Sequence, residues 1–263
     1  VVESAARAAR EGAGQRQQFH AQLLVDGTVA SQPGTVLPIV QSLEKVLDLP
    51  DGWLAGCLPV DAAAVNVHEM LGANDILERA IAEHGLARGY YWHQMVLCHT
   101  AVVGADRADK EFLTEQVKEA VLQGAQRWTI ISKGAPATIT GEGLGAARHL
   151  RTLPLAPDLV AMEFGLDKPL ARGQQVHVRH RVCCPDRGDT SHEVQVVLAR
   201  SADLLTLQTR FEGDMPESFT YGHQSAADGP ELVGQAQVQV LGDTAMCVIL
   251  SPQSGCHSLR WVW

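Results

Sequence analysis

The sequence has 263 residues, of which 46% are hydrophobic, 19% charged and 5% aromatic. This is enough for one large domain or two ordinary ones with a real core, and it excludes wholesale disorder. The formal net charge of −9 argues against a general polyanion binder, because phosphate neutralisation needs clustered Lys and Arg.

In chain order, the N-terminal "VVESAARAAREGAG" has neither the apolar core nor the cleavage site of a signal peptide. It also lacks an initiator Met, which predicts that the sequence begins inside a longer native one. No run of about 18 apolar residues is present to span a membrane, and the expected location is cytoplasmic. Up to residue 60 the apolar spacing is helical. Residues 2–11 form an Ala-rich helix candidate, and Phe19, Leu23 and Leu24 mark a short one stopped by Gly27. In "PIVQSLEKVLDLP", Pro38 fits a first helical turn and Ile39, Leu43, Val46 and Leu47 share one face. Pro50 breaks that helix, Asp51 can cap the next, and "GWLAGCL" closes at Pro59. One more helix is expected in "ANDILERAIAEHG", capped by Asn74 or Asp75 and stopped by Gly85.

Beyond residue 87 the hydrophobic period changes to 2. Strands are expected at 90–104, 113–123, 125–133, 158–166, 174–183, 192–200, 203–211, 231–241, 244–251 and 257–263, with a tight turn at Gly124. The stretches 134–157 and 213–230 are rich in Gly, Pro and polar residues and are expected as long loops. Many strands without alternating helices predict an antiparallel sandwich or barrel and disfavour a parallel α/β fold.

Few residues suggest chemistry. The cysteines at 57, 98, 183, 184, 247 and 256 form no C-x-x-C pair, and they are expected as free thiols in a reducing compartment. Gly141, Gly143 and Gly145 in "GEGLG" lack the G-x-G-x-x-G spacing and fit a flexible loop better than a phosphate cradle. His177 and His180 should point to opposite faces of one strand, which leaves His177, Arg179 and Arg181 as a basic stripe. That stripe is either a solvated face or a patch for an acidic ligand or partner. His93 and His99 are six residues apart and should share a face, about 20 Å apart, too far to hold one metal. "GADRADKE" lacks calcium-loop spacing and reads as a polar turn. No nucleophile-base grouping, metal motif or cofactor fingerprint is recognisable, so neither an enzyme nor a cofactor is expected. The final "LRWVW" puts Trp261 and Trp263 on one face of a terminal strand, so that strand should be docked, with its indoles covering the core or an interface.

Residues 37–59, "LPIVQSLEKVLDLPDGWLAGCLP", resemble the last two helices of a Cro/repressor-type (XRE-type) helix-turn-helix domain, preceded by a similar loop from Gly27 to Pro33. The remainder is similar to a subfamily of actinobacterial regulators with a β-rich C-terminal domain. The matching stretches are Val103–Arg107, Gln116–Arg127, Leu166–Gln174 and Arg260–Trp263. The resemblance implies an α+β protein. Residues 1–60 would be a small helix-turn-helix-like module, 61–87 a linker helix, and 88–263 a mainly antiparallel β-sandwich for a ligand or partner. It implies transcriptional regulation, with DNA contacts from Arg16, Gln17, Gln18, His20 and Gln22 and with homodimers or a protein partner. A partner or ligand patch would comprise His177, Arg179, Arg181, Trp261 and Trp263. Between residues 11 and 50, however, Arg16 and Lys45 are the only basic side chains, against Glu11, Asp26, Glu44 and Asp48. That balance keeps open a protein-interaction module whose helix-turn-helix no longer binds DNA.

Overall fold

The computed structural model describes residues 74–87, 92–133, 137–184, 189–226, 229–234 and 236–263. Helix α1 spans Asn74–His84 and ends as its sequence predicts. Gly85 adopts a left-handed φ of 59° and donates its amide to the Ile81 carbonyl at 2.9 Å. Fourteen strands follow: β1 Trp92–Val103, β2 Asp109–Ala120, β3 Ala125–Lys133, β4 Thr140–Leu144, β5 Arg148–Ala156, β6 Leu159–Leu170 and β7 Gln175–Cys183. The second half comprises β8 Glu193–Leu198, β9 Leu204–Phe211, β10 Ser218–Gln224, β11 Glu231–Val233, β12 Val238–Leu241, β13 Thr244–Leu250 and β14 Gly255–Val262.

The α+β class expected from the sequence is therefore corrected. The described residues are mainly β, with one helix and no helix-turn-helix among them. Strand content exceeds the expectation because two stretches read as loops are paired backbone. Residues 140–144 form β4, paired with β7, residues 148–156 form β5, paired with β6, and 218–224 form β10, an inner strand of its sheet. The expected strand at 231–241 is broken at Gly234 (φ 77°), and its halves belong to different sheets. The helical module expected at 1–60, with Arg16, Gln17, Gln18, His20 and Gln22, lies outside the described residues.

The strands make a seven-stranded sheet in the order β12-β13-β9-β1-β2-β7-β4, a four-stranded sheet β11-β10-β14-β8 and a three-stranded sheet β3-β6-β5. Pairing is antiparallel throughout except for the parallel contact of β1 with β9. The two smaller sheets cover one face of the large one. Leu97, Leu205, Leu207 and Cys247 of the large sheet pack with Leu259 and Trp261 of the four-stranded sheet. Val178 and Val182, farther along the same face, pack with Trp128, Met162 and Phe164 of the three-stranded sheet. Each such large side chain contributes about 1.5–3 kcal/mol when fully buried. Phe112 touches both clusters and stands at the junction between them.

Two local features shape the edges. Gly143 faces β5 so closely that an added Cβ would stand 2.5 Å from the Ala147 carbonyl oxygen, which explains a glycine in an edge strand. The C-terminal strand β14 is held on both sides, by β10 and β8. The indoles of Trp261 and Trp263 both donate to the Ser191 carbonyl, at 2.9 and 2.7 Å, and both meet the Phe211 ring edge-on. The docking expected for this terminus is present.

The outer face of the three-stranded sheet carries α1. Glu163, alternating with the inward Met162 and Phe164 on β6, is buried there under the end of the helix. Its carboxylate accepts the Ala87 amide at 3.1 Å and pairs with Arg127 at 3.5 Å and Arg151 at 2.9 Å. Arg151 reaches on to the His84 carbonyl at 2.7 Å, satisfying the last turn of the helix. Glu163→Ala leaves these donors unpaired. Because both arginines are partly solvated, the expected loss is roughly 2 kcal/mol, below that of a fully buried pair. Urea unfolding should show it, and amide exchange at Ala80–Ala87 should accelerate more than in β1 or β9. Unchanged exchange around α1 would contradict the clamp.

Candidate functional site

The alternation of β1 is interrupted between Gln94 and Val96, where a bulge shifts its register against β2. His93 stands opposite Glu119, whereas His99 stands opposite Thr114, so the bulge turns the two histidines to opposite faces. This overturns the shared face expected from their spacing. His99 now points inward, and one cross-strand row reads Leu207, His99, Thr114, His180 across β9, β1, β2 and β7. Polar residues therefore cross the buried face where the two apolar clusters meet. Along β2 the same face carries Thr114, Gln116 and Lys118, all buried.

Lys118 is the exceptional member. Its amine lies over the rings of Trp92 and Trp128, at 5.8 and 5.4 Å from their centroids, and no carboxylate among the described residues pairs with it. Neighbouring Glu119 and Glu115 alternate to the outer face, and Glu163 is committed to the helix clamp. Burial in these aromatic surroundings pushes the amine from 10.5 down to about 7. The wall continues from Trp128 through Phe164, stacked at 5.9 Å, to His180 at 4.8 Å from Phe164. Burial lowers His180 to about 3, with the positive charges of Lys118 and His99 acting in the same direction. The His180 Nδ1 and the Gln116 Oε1 are buried without a hydrogen-bond partner. His99 is lowered to about 4 by burial, stacks on Phe112 at 5.6 Å and shares a 2.9 Å hydrogen bond with the Thr114 hydroxyl. Gln94 and His99 are partly exposed and bring the row to the surface.

A second histidine group provides the contrast. His223 and His257 stack at 4.5 Å in the four-stranded sheet. His257 Nε2 donates to the Gln253 carbonyl at 2.8 Å, so its Nδ1 accepts from the Tyr221 hydroxyl at 2.7 Å. His223 Nε2 donates to the Ser254 carbonyl at 3.1 Å. Each observed partner there is internal, as in a structural network. Around Lys118 and His180, polar atoms remain unanswered.

The residues singled out from the sequence lie elsewhere. His177, Arg179 and Arg181 do share the outer face of the large sheet, and His180 faces inward. The arginines are neutralised across strands, Arg179 by Glu115 at 2.6 Å and Arg181 by Glu111 at 3.6 Å and Glu142 at 3.2 Å. Trp261 belongs to the core, and Trp263 is partly buried with the Arg107 guanidinium 4.7 Å above its ring. The thiols of Cys98, Cys183, Cys247 and Cys256 are free. No group of three or more His, Cys, Asp or Glu among the described residues is arranged to hold a metal, and no described helix is long and apolar enough to cross a membrane.

No protein-family model and no curated protein matches the chain. Among solved structures, it is similar to a putative protease from Parabacteroides distasonis, with 8% identity, a TM-score of 0.44, and coverage of 67% of this chain and 41% of that one. It is also similar to an M1 zinc metallopeptidase from Deinococcus radiodurans, with 9% identity, a TM-score of 0.34, and coverage of 64% and 42%. A two-domain M1 zinc metallopeptidase variant bound to L-tryptophan gives 10% identity, a TM-score of 0.36, and coverage of 66% and 44%. The chain thus spans less than half the length of these structures. At such values the likeness carries no argument about chemistry.

The depressed amine and imidazoles fix a pH signature. Between pH 9 and 7 the unfolded chain already holds its lysine proton while the folded Lys118 still lacks it, so folding stability falls as pH drops. Below 6.5 the unfolded histidines protonate before His99, His180 and His257, and stability falls further toward pH 4. The urea midpoint should therefore rise from pH 5 to 7 and again to 9. Lys118→Met should flatten the upper limb, and a wild-type midpoint that is level or falling between pH 7 and 9 would contradict the assignment.

Proposed function

We propose that this chain is a transcriptional regulator whose β-rich part, residues 92–263, is a small-molecule sensing domain. The observation that carries the sensing role is the buried Lys118 amine, with no carboxylate partner among the described residues, on the same sheet face as partnerless atoms of Gln116 and His180. Leaving polar groups unsatisfied in a core costs free energy, and a bound ligand that answers them recovers it. The regulatory role rests on the resemblance of residues 37–59 to a helix-turn-helix and of the later stretches to actinobacterial regulators. DNA contact is assigned to residues 15–36, by positioning rather than by reaction, and the protein is a binding protein rather than an enzyme.

On β6, Phe164 lines the aromatic wall while the adjacent Glu163 grips the end of α1. A ligand that shifts β6 would act on α1 through Glu163.

One feature favours a protein-interaction role instead. Leu241, Val248 and Leu250 stand exposed at the edge formed by β12 and β13. A gel-shift with the full chain on its gene's own upstream region separates the readings. Retardation at low salt, weakened as salt rises, is expected for the regulator. No retardation together with a stable protein complex would replace it with the interaction module.

A further inference from the structure

The aromatic wall and the lysine define a ligand chemistry. Lys118 projects from near the end of β2 into a face walled by Trp92, Trp128 and Phe164, and the inward residues between Thr114 and Ala120 of β2 and between Val176 and Val182 of β7 include no Arg and no carboxylate. A carboxylate ligand would meet a lone amine there, without the guanidinium fork or backbone cradle that usually holds an anion. A carbonyl compound meets a different setting. The amine stands in apolar surroundings of the kind that make lysine a nucleophile, flat rings are placed to stack on a conjugated product, and the buried Gln116 Oε1 is free to accept a hydrogen bond.

We infer that Lys118 captures a small aldehyde with an aromatic or apolar body as a reversible imine. This deepens the sensing role proposed above and rests on it. The neutral Nζ attacks the carbonyl carbon, the C–N bond forms, and a proton passes from nitrogen to oxygen to give the carbinolamine. The C–O bond then breaks, water leaves with the second amine proton, and the C=N bond remains. No oxidant or reductant is consumed, and water reverses the step. Gln116, next inward residue along β2, presents its Oε1 to the hydroxyl of the carbinolamine.

Benzaldehyde with sodium cyanoborohydride tests this on the full chain at neutral pH, because hydride converts any imine into a stable secondary amine. The five lysines at 45, 110, 118, 133 and 168 form an internal comparison by peptide mapping. Lys118 should be benzylated at least tenfold faster than each of the other four, and benzaldehyde alone should quench tryptophan fluorescence reversibly. Lys118→Arg should abolish the fast label, and Gln116→Leu, which keeps the amine and the apolar wall, should slow it several-fold. Equal labelling of all five lysines, or no label at Lys118, overturns imine capture. Benzoate serves as the second arm. Quenching by benzoate without trapping by benzaldehyde would overturn the aldehyde class while leaving a sensing site. Silence with both compounds would overturn the site as well.

Discussion

A lysine amine held beside two indoles, with no anion among the described residues to answer it, is the constraint around which the inner face is arranged. Most buried cations in proteins are paired, because desolvation of an unpaired charge costs several kcal/mol. Here the expense is limited by losing the proton and by the two ring faces, which attract whatever fraction stays charged. The arrangement requires Trp92 and Trp128 to be fixed. Their edge-to-face contact at 6.1 Å, and the hydrogen bond from the Trp92 indole to the Arg127 carbonyl at 2.9 Å, do this. Stability and site chemistry thus draw on the same contacts.

The large sheet serves both halves of the molecule. Its β9–β1 side supplies the core under the four-stranded sheet, and its β2–β7 side supplies the core under the three-stranded sheet. A single face that has to cover two sheets also has to pass from one apolar cluster to the other, and the polar row lies at that passage. The bulge in β1 makes the row possible, because without it His99 would alternate outward beside Glu119's face. The three-stranded sheet then joins the site to the helix, since successive residues of β6 point to opposite sides and carry Phe164 and Glu163.

Much of the strand layout was legible in the sequence, because period-2 alternation is strong in β1, β2, β7 and β9. The helix at 74–84 was legible too, from its Asn/Asp cap and the Gly85 stop. The failures have local causes. In β4, "TGEGL" lacks β-branched residues where glycine is needed for close approach to Ala147, and β5 carries Pro154 and two register shifts that blur alternation. Both are edge strands, where such residues are tolerated. The candidate site was not legible. Lys118 and Gln116 look like ordinary outward polar residues of an alternating strand, and only their pairing partners show that this face turns inward. The histidines drew attention, but spacing alone put His93 and His99 together, because a bulge leaves no clear mark on a single sequence. The arginine stripe was placed on the correct face, yet the glutamates that neutralise it come from β2 and β4, a relation set by register.

The central claim is that Lys118 is a buried amine titrating near neutrality. Heteronuclear NMR of the lysine side chains, followed from pH 5.5 to 10 and assigned with Lys118→Arg, reads this without reference to any ligand. The account predicts one lysine with a midpoint of about 7 while the others titrate near their ordinary value. A Lys118 midpoint at 10 or above would contradict it.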